Sequence, residues 1–144
     1  MIAAISAFLS VIYVVLVARE ARRPCRRDGE WRVVEYPLST QVPALLACGL
    51  VLWLATRQGP LFLVFLPPLL LWAFYLMRSR IRFSDSQLEV HSWLAGKRAI
   101  PMSAVQSVQP GFAGWRVSTT AQGDFGFNHM QRGWAELRER LGKP

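Results

Sequence analysis

Cysteine, histidine and acidic residues are all scarce in this chain. Cys25 and Cys48 are the only cysteines among 144 residues, with two histidines and nine acidic residues against seventeen basic ones. So few cysteines exclude a disulfide scaffold, and neither has a metal-ligand spacing around it. Cys25 lies in an arginine-rich loop and Cys48 in an apolar run. A bridge would have to join different depths, so both read as free thiols on a reducing side. His91 and His129 have no serine, cysteine or carboxylate placed with them in a recognisable catalytic motif. Asp28, Asp85 and Asp124 stand in turn contexts, where aspartate bonds nearby backbone. The glycines of 111–114 lack the lysine and spacing of a phosphate loop. The sequence therefore predicts no enzyme, no metal site and no cofactor.

What the chain has is hydrophobicity and positive charge, in separate places. It is 52% hydrophobic yet carries a formal charge of +8. The apolar residues concentrate in the first half, and the arginines cluster at the ends of the apolar runs. That segregation fits a chain partly solvated by lipid, with its basic ends at the headgroups. It argues against nucleic acid, because beyond Arg82 the chain is only mildly basic.

The apolar runs predict membrane helices over about 2–18, 41–56 and 61–77. The first lacks a basic segment before it and has no clean small-residue cleavage site, so it reads as an uncleaved spanning helix. Thr40 is expected to cap the second helix, with Pro43 in its first turn. Gly59-Pro60 should turn the chain into an antiparallel hairpin. Pro67-Pro68 fall mid-way along the third run and predict a kink there. Neither 42–56 nor 61–77 contains Asp, Glu, Lys, Arg or His, which weighs against a transport or channel role.

Arginine placement sets the orientation. Six arginines crowd the loop 19–40, three follow the third helix at once (Arg78, Arg80 and Arg82), and the turn between the second and third helices has only Arg57. The positive-inside bias puts that loop and the C-terminal part in the cytosol and the N-terminus outside, giving a multi-pass membrane protein. Trp53, Trp72 and Tyr75 lie near run ends, where interfacial aromatics belong. Within the loop, 30–36 reads as an edge strand or an interfacial segment, and a strand touching the C-terminal domain is the favoured reading.

From residue 78 the pattern shortens to alternating runs. Strands are expected at 80–84, 87–93, 97–100 and 104–108 (the last a strand or a short helical turn leading into one), then a hairpin of 115–119 and 124–127 around 121–123. Trp134, Leu137 and Leu141 recur at helical spacing and predict one amphipathic helix laid over an open side of the sheet. The predicted fold class is thus a membrane α-helical N-terminal part of three helices (1–77) plus a small α+β domain (78–144), a curved antiparallel sheet capped by a C-terminal helix.

The succession Ile81-x-Phe83-x-Asp85-x-x-Leu88-x-Val90, then Gly96-Lys97-Arg98-x-Ile100-Pro101-Met102-Ser103-x-Val105-x-Ser107-Val108, resembles the bacterial pleckstrin-homology-like domains of small membrane proteins. The resemblance covers roughly 78–141. It rests on a pattern of hydrophobic positions and not on a catalytic signature, and it implies a curved sheet closed by a C-terminal helix in a protein of the bacterial cytoplasmic (inner) membrane. The expected function is a membrane accessory or scaffold protein whose cytosolic domain docks a protein partner. The alternatives are a membrane-integrity or stress protein acting on the anionic inner leaflet, and, less favoured, a transporter component. The expected headgroup or partner surface is Arg78, Arg80, Arg82, Lys97 and Arg98, worth about 1 kcal/mol per basic residue near such a surface.

Overall fold

The computed structural model describes residues 2–92, 94–112, 114–120 and 122–142. Trp93, at the end of the second predicted strand, and Ala113 and Ala121, in two predicted turns, lie outside the described residues. The chain is an α+β protein of antiparallel sheets and a C-terminal helix.

Helix α1 (Ile2–Ala21) leads into a hairpin, β1 (Arg26–Asp28) and β2 (Trp31–Glu35), before α2 (Leu38–Gln58) begins. A 3-10 segment, Pro60–Phe65, then continues into α3 (Leu66–Arg78). Strands β3 (Arg80–Phe83), β4 (Gln87–Ser92) and β5 (Gly96–Pro101) follow, then β6 (Val105–Pro110), β7 (Gly114–Thr119), β8 (Phe125–Asn128) and α4 (Trp134–Leu141). The first sheet runs in the order β1-β2-β3-β4-β5 and the second in the order β6-β7-β8.

The helical part departs from expectation in three ways. Thr40 is not a cap: α2 starts at Leu38 behind Pro37, whose extended backbone ends the linker, and Thr40 is buried inside the first turn. Pro43 lies inside the helix beyond that turn. Pro67 and Pro68 stand in the first turn of α3, where a missing N–H goes unused, instead of kinking its middle. The Leu63 carbonyl that Pro67 cannot reach accepts the Leu66 N–H in 3-10 fashion, which is why the run changes helix type there. Two helical stretches, Leu38–Gln58 and Pro60–Arg78, are by length and composition long and apolar enough to cross a membrane. They pack through small side chains, Ala44 and Cys48 against Ala73, with Tyr36 and Leu76. Their large apolar residues, among them Leu46, Leu61 and Val64, remain exposed.

The segment 30–36 joins the sheet formed after α3, as a strand touching it was expected to. β2 pairs along its length with β3, Glu35 opposite Arg80 and Val34 opposite Ile81, so the loop between the first two helices supplies two strands. The core gathers Val34, Ile81, Phe83, Leu88 and Ile100 from the first sheet with Val117, Phe125 and Phe127 from the second, and Leu137 of α4 fills the open side. Burying such side chains contributes roughly 1.5–3 kcal/mol each. The register between β6 and β7 shifts at Gln106, a bulge that takes this residue out of the ladder.

Candidate functional site at the helix-facing end

Strand direction decides which residues face the helices. β2 runs into α2 through only Tyr36 and Pro37, and β3 leaves α3 through only Ser79, so Glu35 and Arg80 mark one end of the first sheet. His91 lies opposite Arg80 and Lys97 opposite His91. Directly opposed residues share a face, so Glu35, Arg80, His91 and Lys97 form one transverse row nearest the helices. Arg78 ends α3 just above it.

The five expected site residues divide along these lines. Arg78 and Arg80 are exposed and, among the described residues, have no ion-pair partner. Lys97 shares their end of the sheet, but its Nζ donates to Glu89 Oε1 at 2.8 Å. Arg82 lies one step further from the helices on the same face and is taken up by Asp28, with Nη2 to Oδ2 at 2.6 Å. Arg98 falls on the opposite face with Ile100, and its Nη1 donates to the Gln122 carbonyl at 2.8 Å, tying β5 to the β7–β8 turn. The structure brings Arg78, Arg80 and Lys97 to one end and leaves Arg82 and Arg98 out.

The charges around His91 shape its chemistry. Burial holds its pKa below the usual imidazole value, and the positive charges of Arg80 and Lys97 add to this against Glu89. The Lys97 hydrogen bond holds the Glu89 carboxyl below its ordinary value. Near neutral pH the row therefore carries its positive charge on Arg80 and Lys97, with a neutral imidazole between them. His129 is far from this row in role: its ring meets Trp115 and Trp134 edge-on, at 6.2 and 4.6 Å.

Sequence reasoning missed two further features of this end. Tyr36, Tyr75 and Asn128 form a polar joint between helices and domain. Asn128 Nδ2 donates to the Tyr36 hydroxyl at 2.7 Å, and that hydroxyl reaches Tyr75 Oη at 3.4 Å. Burial, with Tyr75 beside it, raises the Tyr36 pKa well above the ordinary phenol, so the joint is neutral. The joint also places the second sheet. Gly114 pairs with Asn128, so the β6–β7 turn lies at the helix-facing end, and Gly111 and Phe112 line a groove with Tyr36 and Tyr75. The β4–β5 turn extends beyond Ser92 and Gly96 at the same end. Each turn carries an exposed apolar residue, Leu94 at 77% and Phe112 fully exposed.

The second missed feature is a clamp between the first loop and α4. The Cys25 N–H donates to Glu136 Oε1 at 2.8 Å, and Sγ lies 3.4 Å from the Gly133 carbonyl. The Arg132 N–H donates to the Glu35 carbonyl at 2.8 Å, and its Nε to the Pro24 carbonyl at 2.9 Å. Burial, then the Glu136 carboxylate, pushes the Cys25 thiol up to about 12. In a Cys48→Ala background, Cys25 should resist alkylation at pH 8 in the folded chain and react on denaturation. Equal rates before and after denaturation would show the clamp open.

A groove of about 740 Å3 opens at the other end of the domain, between β6 and α4, lined by Ser103, Val105, Ser107, Arg140 and Leu141. Arg140 closes one side through its 3.0 Å pair with Asp85. β6 is an edge strand and faces this groove with backbone that no other strand covers. No family model matches this chain, and neither does any curated protein or solved structure, so the geometry of its two ends has to carry the functional reading.

Proposed function

We propose that this chain is an integral protein of the bacterial cytoplasmic membrane that holds a pleckstrin-homology-like domain at the cytosolic face and docks an extended segment of a protein partner on it. In this reading α1, α2 and the stretch ending in α3 span the bilayer, and the arginines of 19–32 and 78–82 lie inside. The observation that carries it is the interleaving of helices and sheet. Linkers of two residues before α2 and one residue before β3 give the domain no tether to swing on. A rigid mount of this kind keeps the groove of β6 and α4 directed away from the helices, where a strand can be added to an open edge.

The test is a mild-detergent pull-down of tagged full-length protein from its own membranes, beside the variant Gln106→Pro. Gln106 is exposed, lies on the edge strand and has no Cα partner in the β6–β7 ladder, so it is the position of β6 where proline, which sheets accept at edges and bulges, disturbs the domain's own pairing least. A stoichiometric partner recovered with the native chain and lost with Gln106→Pro is the expected result. Recovery of lipid alone, or a partner indifferent to the variant, sinks the docking reading.

A further inference from the structure

Exposed basic residues gather at the end of the domain that meets the helices, a grouping the linear sequence hides. Arg78, Arg80 and Lys97 collect at the helix-facing end, with Arg22 and Arg23 just past α1. At the opposite end, in or beside the β1–β2, β3–β4 and β7–β8 turns, Asp28, Asp85 and Asp124 are paired with Arg82, Arg140 and Arg116. The turns at the basic end are the ones that expose large apolar side chains: Leu94, Phe112 and, between β8 and α4, Met130. Turn tips in water favour small polar residues. Apolar tips inside a basic ring suit an interface that is hydrocarbon below and anionic above.

We propose that the domain is seated on the inner leaflet, with Leu94 and Phe112 at two hairpin tips entering the acyl boundary and Arg78, Arg80 and Lys97 holding anionic lipid headgroups around them. The inference rests on the membrane-spanning part of the reading above and is independent of the docking groove. The occupant is lipid because the helices leave the domain from this same end, so whatever surrounds them lies against these tips. Charge complementarity selects the anionic lipids among its components. The polar joint of Tyr36, Tyr75 and Asn128 fixes the tilt of the second sheet, and so brings the Phe112 tip down beside α3. Seating has a consequence for the rest of the domain: it turns the far end and its groove outward.

The experiment uses the full chain reconstituted in vesicles of phosphatidylcholine with phosphatidylglycerol. A polarity-sensitive fluorophore is attached at Leu94→Cys, Phe112→Cys or Asp124→Cys in a Cys25→Ala, Cys48→Ala background. Labels at 94 and 112 should be quenched several-fold more than the label at 124 by lipid carrying a nitroxide on its acyl chain. That difference should shrink in phosphatidylcholine alone and at high salt, because screening weakens the basic ring. Should the background variant not fold, the unmodified chain answers the same question, since nitroxide lipid should broaden the proton resonances of Leu94 and Phe112 and spare those of Val117. Tips as wet as residue 124 in a chain that has entered the vesicles overturn the seating alone. Equal quenching with and without phosphatidylglycerol overturns the role given to the basic ring. A chain that never enters the vesicles overturns both the seating and the spanning helices.

Discussion

Residues 79–144 expressed alone will fail to fold, and the same residues joined through a short flexible linker to 24–36 will fold. The missing strand is internal, since β2 lies between β1 and β3. Removing it uncovers the whole edge of β3 and deletes Val34, which is 0% exposed at the centre of the core. That side chain alone is worth roughly 1.5–3 kcal/mol. Each of the ladder hydrogen bonds lost with it contributes a further ~0.5–1.5 kcal/mol. The clamp on α4 disappears as well, because the Glu35 and Pro24 carbonyls and the Cys25 N–H are its partners. Against a typical domain stability of about 5–15 kcal/mol, losses on this scale leave no folded state to measure. Near-ultraviolet circular dichroism and a thermal melt decide it. A cooperative melt from 79–144 alone would mean that β1 and β2 are accessories to a sheet that stands without them.

Gly133→Ala is expected to cost about 2–5 kcal/mol, the sum of a left-handed backbone penalty of ~1–2 and an overpacking cost of ~1–3. Gly133 has φ +82° as it opens α4, a conformation that side chains with a Cβ resist. It also has no room: an added Cβ would land on the Cys25 sulfur and stand 3.0 Å from the Cys25 Cα. Relaxing one problem does not relax the other, since moving α4 away breaks the Glu136 contact to the Cys25 N–H. Denaturant unfolding of the joined domain measures the cost. A double-mutant cycle with Cys25→Gly separates its parts, because that change removes the sulfur and Cβ from the contact and leaves the backbone strain with the Cα approach. A loss below about 1 kcal/mol would place Gly133 outside the strained region. Strong destabilisation that Cys25→Gly does not relieve would assign the cost to backbone, to the Gly133 conformation and the Cys25 Cα approach, and not to the thiol side chain.

The parts of this fold that were legible in the sequence are those with a period. Ile81 and Phe83, then Leu88 and Val90, alternate and bury one face, and each became a strand where the alternation said. Trp134, Leu137 and Leu141 keep helical spacing, and α4 places Leu137 fully in the core. β1 had no such signal, because all three of its residues are charged and exposed, and only pairing to β2 makes it a strand. The prolines at 67 and 68 looked like a defect because the run was taken as one helix. A 3-10 entry makes them a beginning.

The candidate site was legible by composition and illegible by grouping. Lys97 and Arg98 are neighbours in sequence, and neighbours on a strand point to opposite faces, so one of them had to turn inward. Which one depended on Ile100, the core residue that shares its face with Arg98. Arg82 was lost to Asp28, which stands on β1, a strand of three charged residues with no alternation to announce it. The apolar tips were visible as turns, but that Leu94 and Phe112 lie at one end follows only from the register of two separate sheets.

The interleaved chain order has a consequence for how the protein is made. Glu35 pairs with Arg80, so the ribosome finishes β2 and must then deliver α2 and α3 before its partner strand exists. At about 5–20 residues per second that is a wait of a few seconds, during which the β1–β2 hairpin keeps an edge open. Closure of the sheet then reports that both helices have been placed with their ends side by side. A chain whose helices went astray would keep that edge bare, a defect that a protease or chaperone can read without inspecting the helices at all.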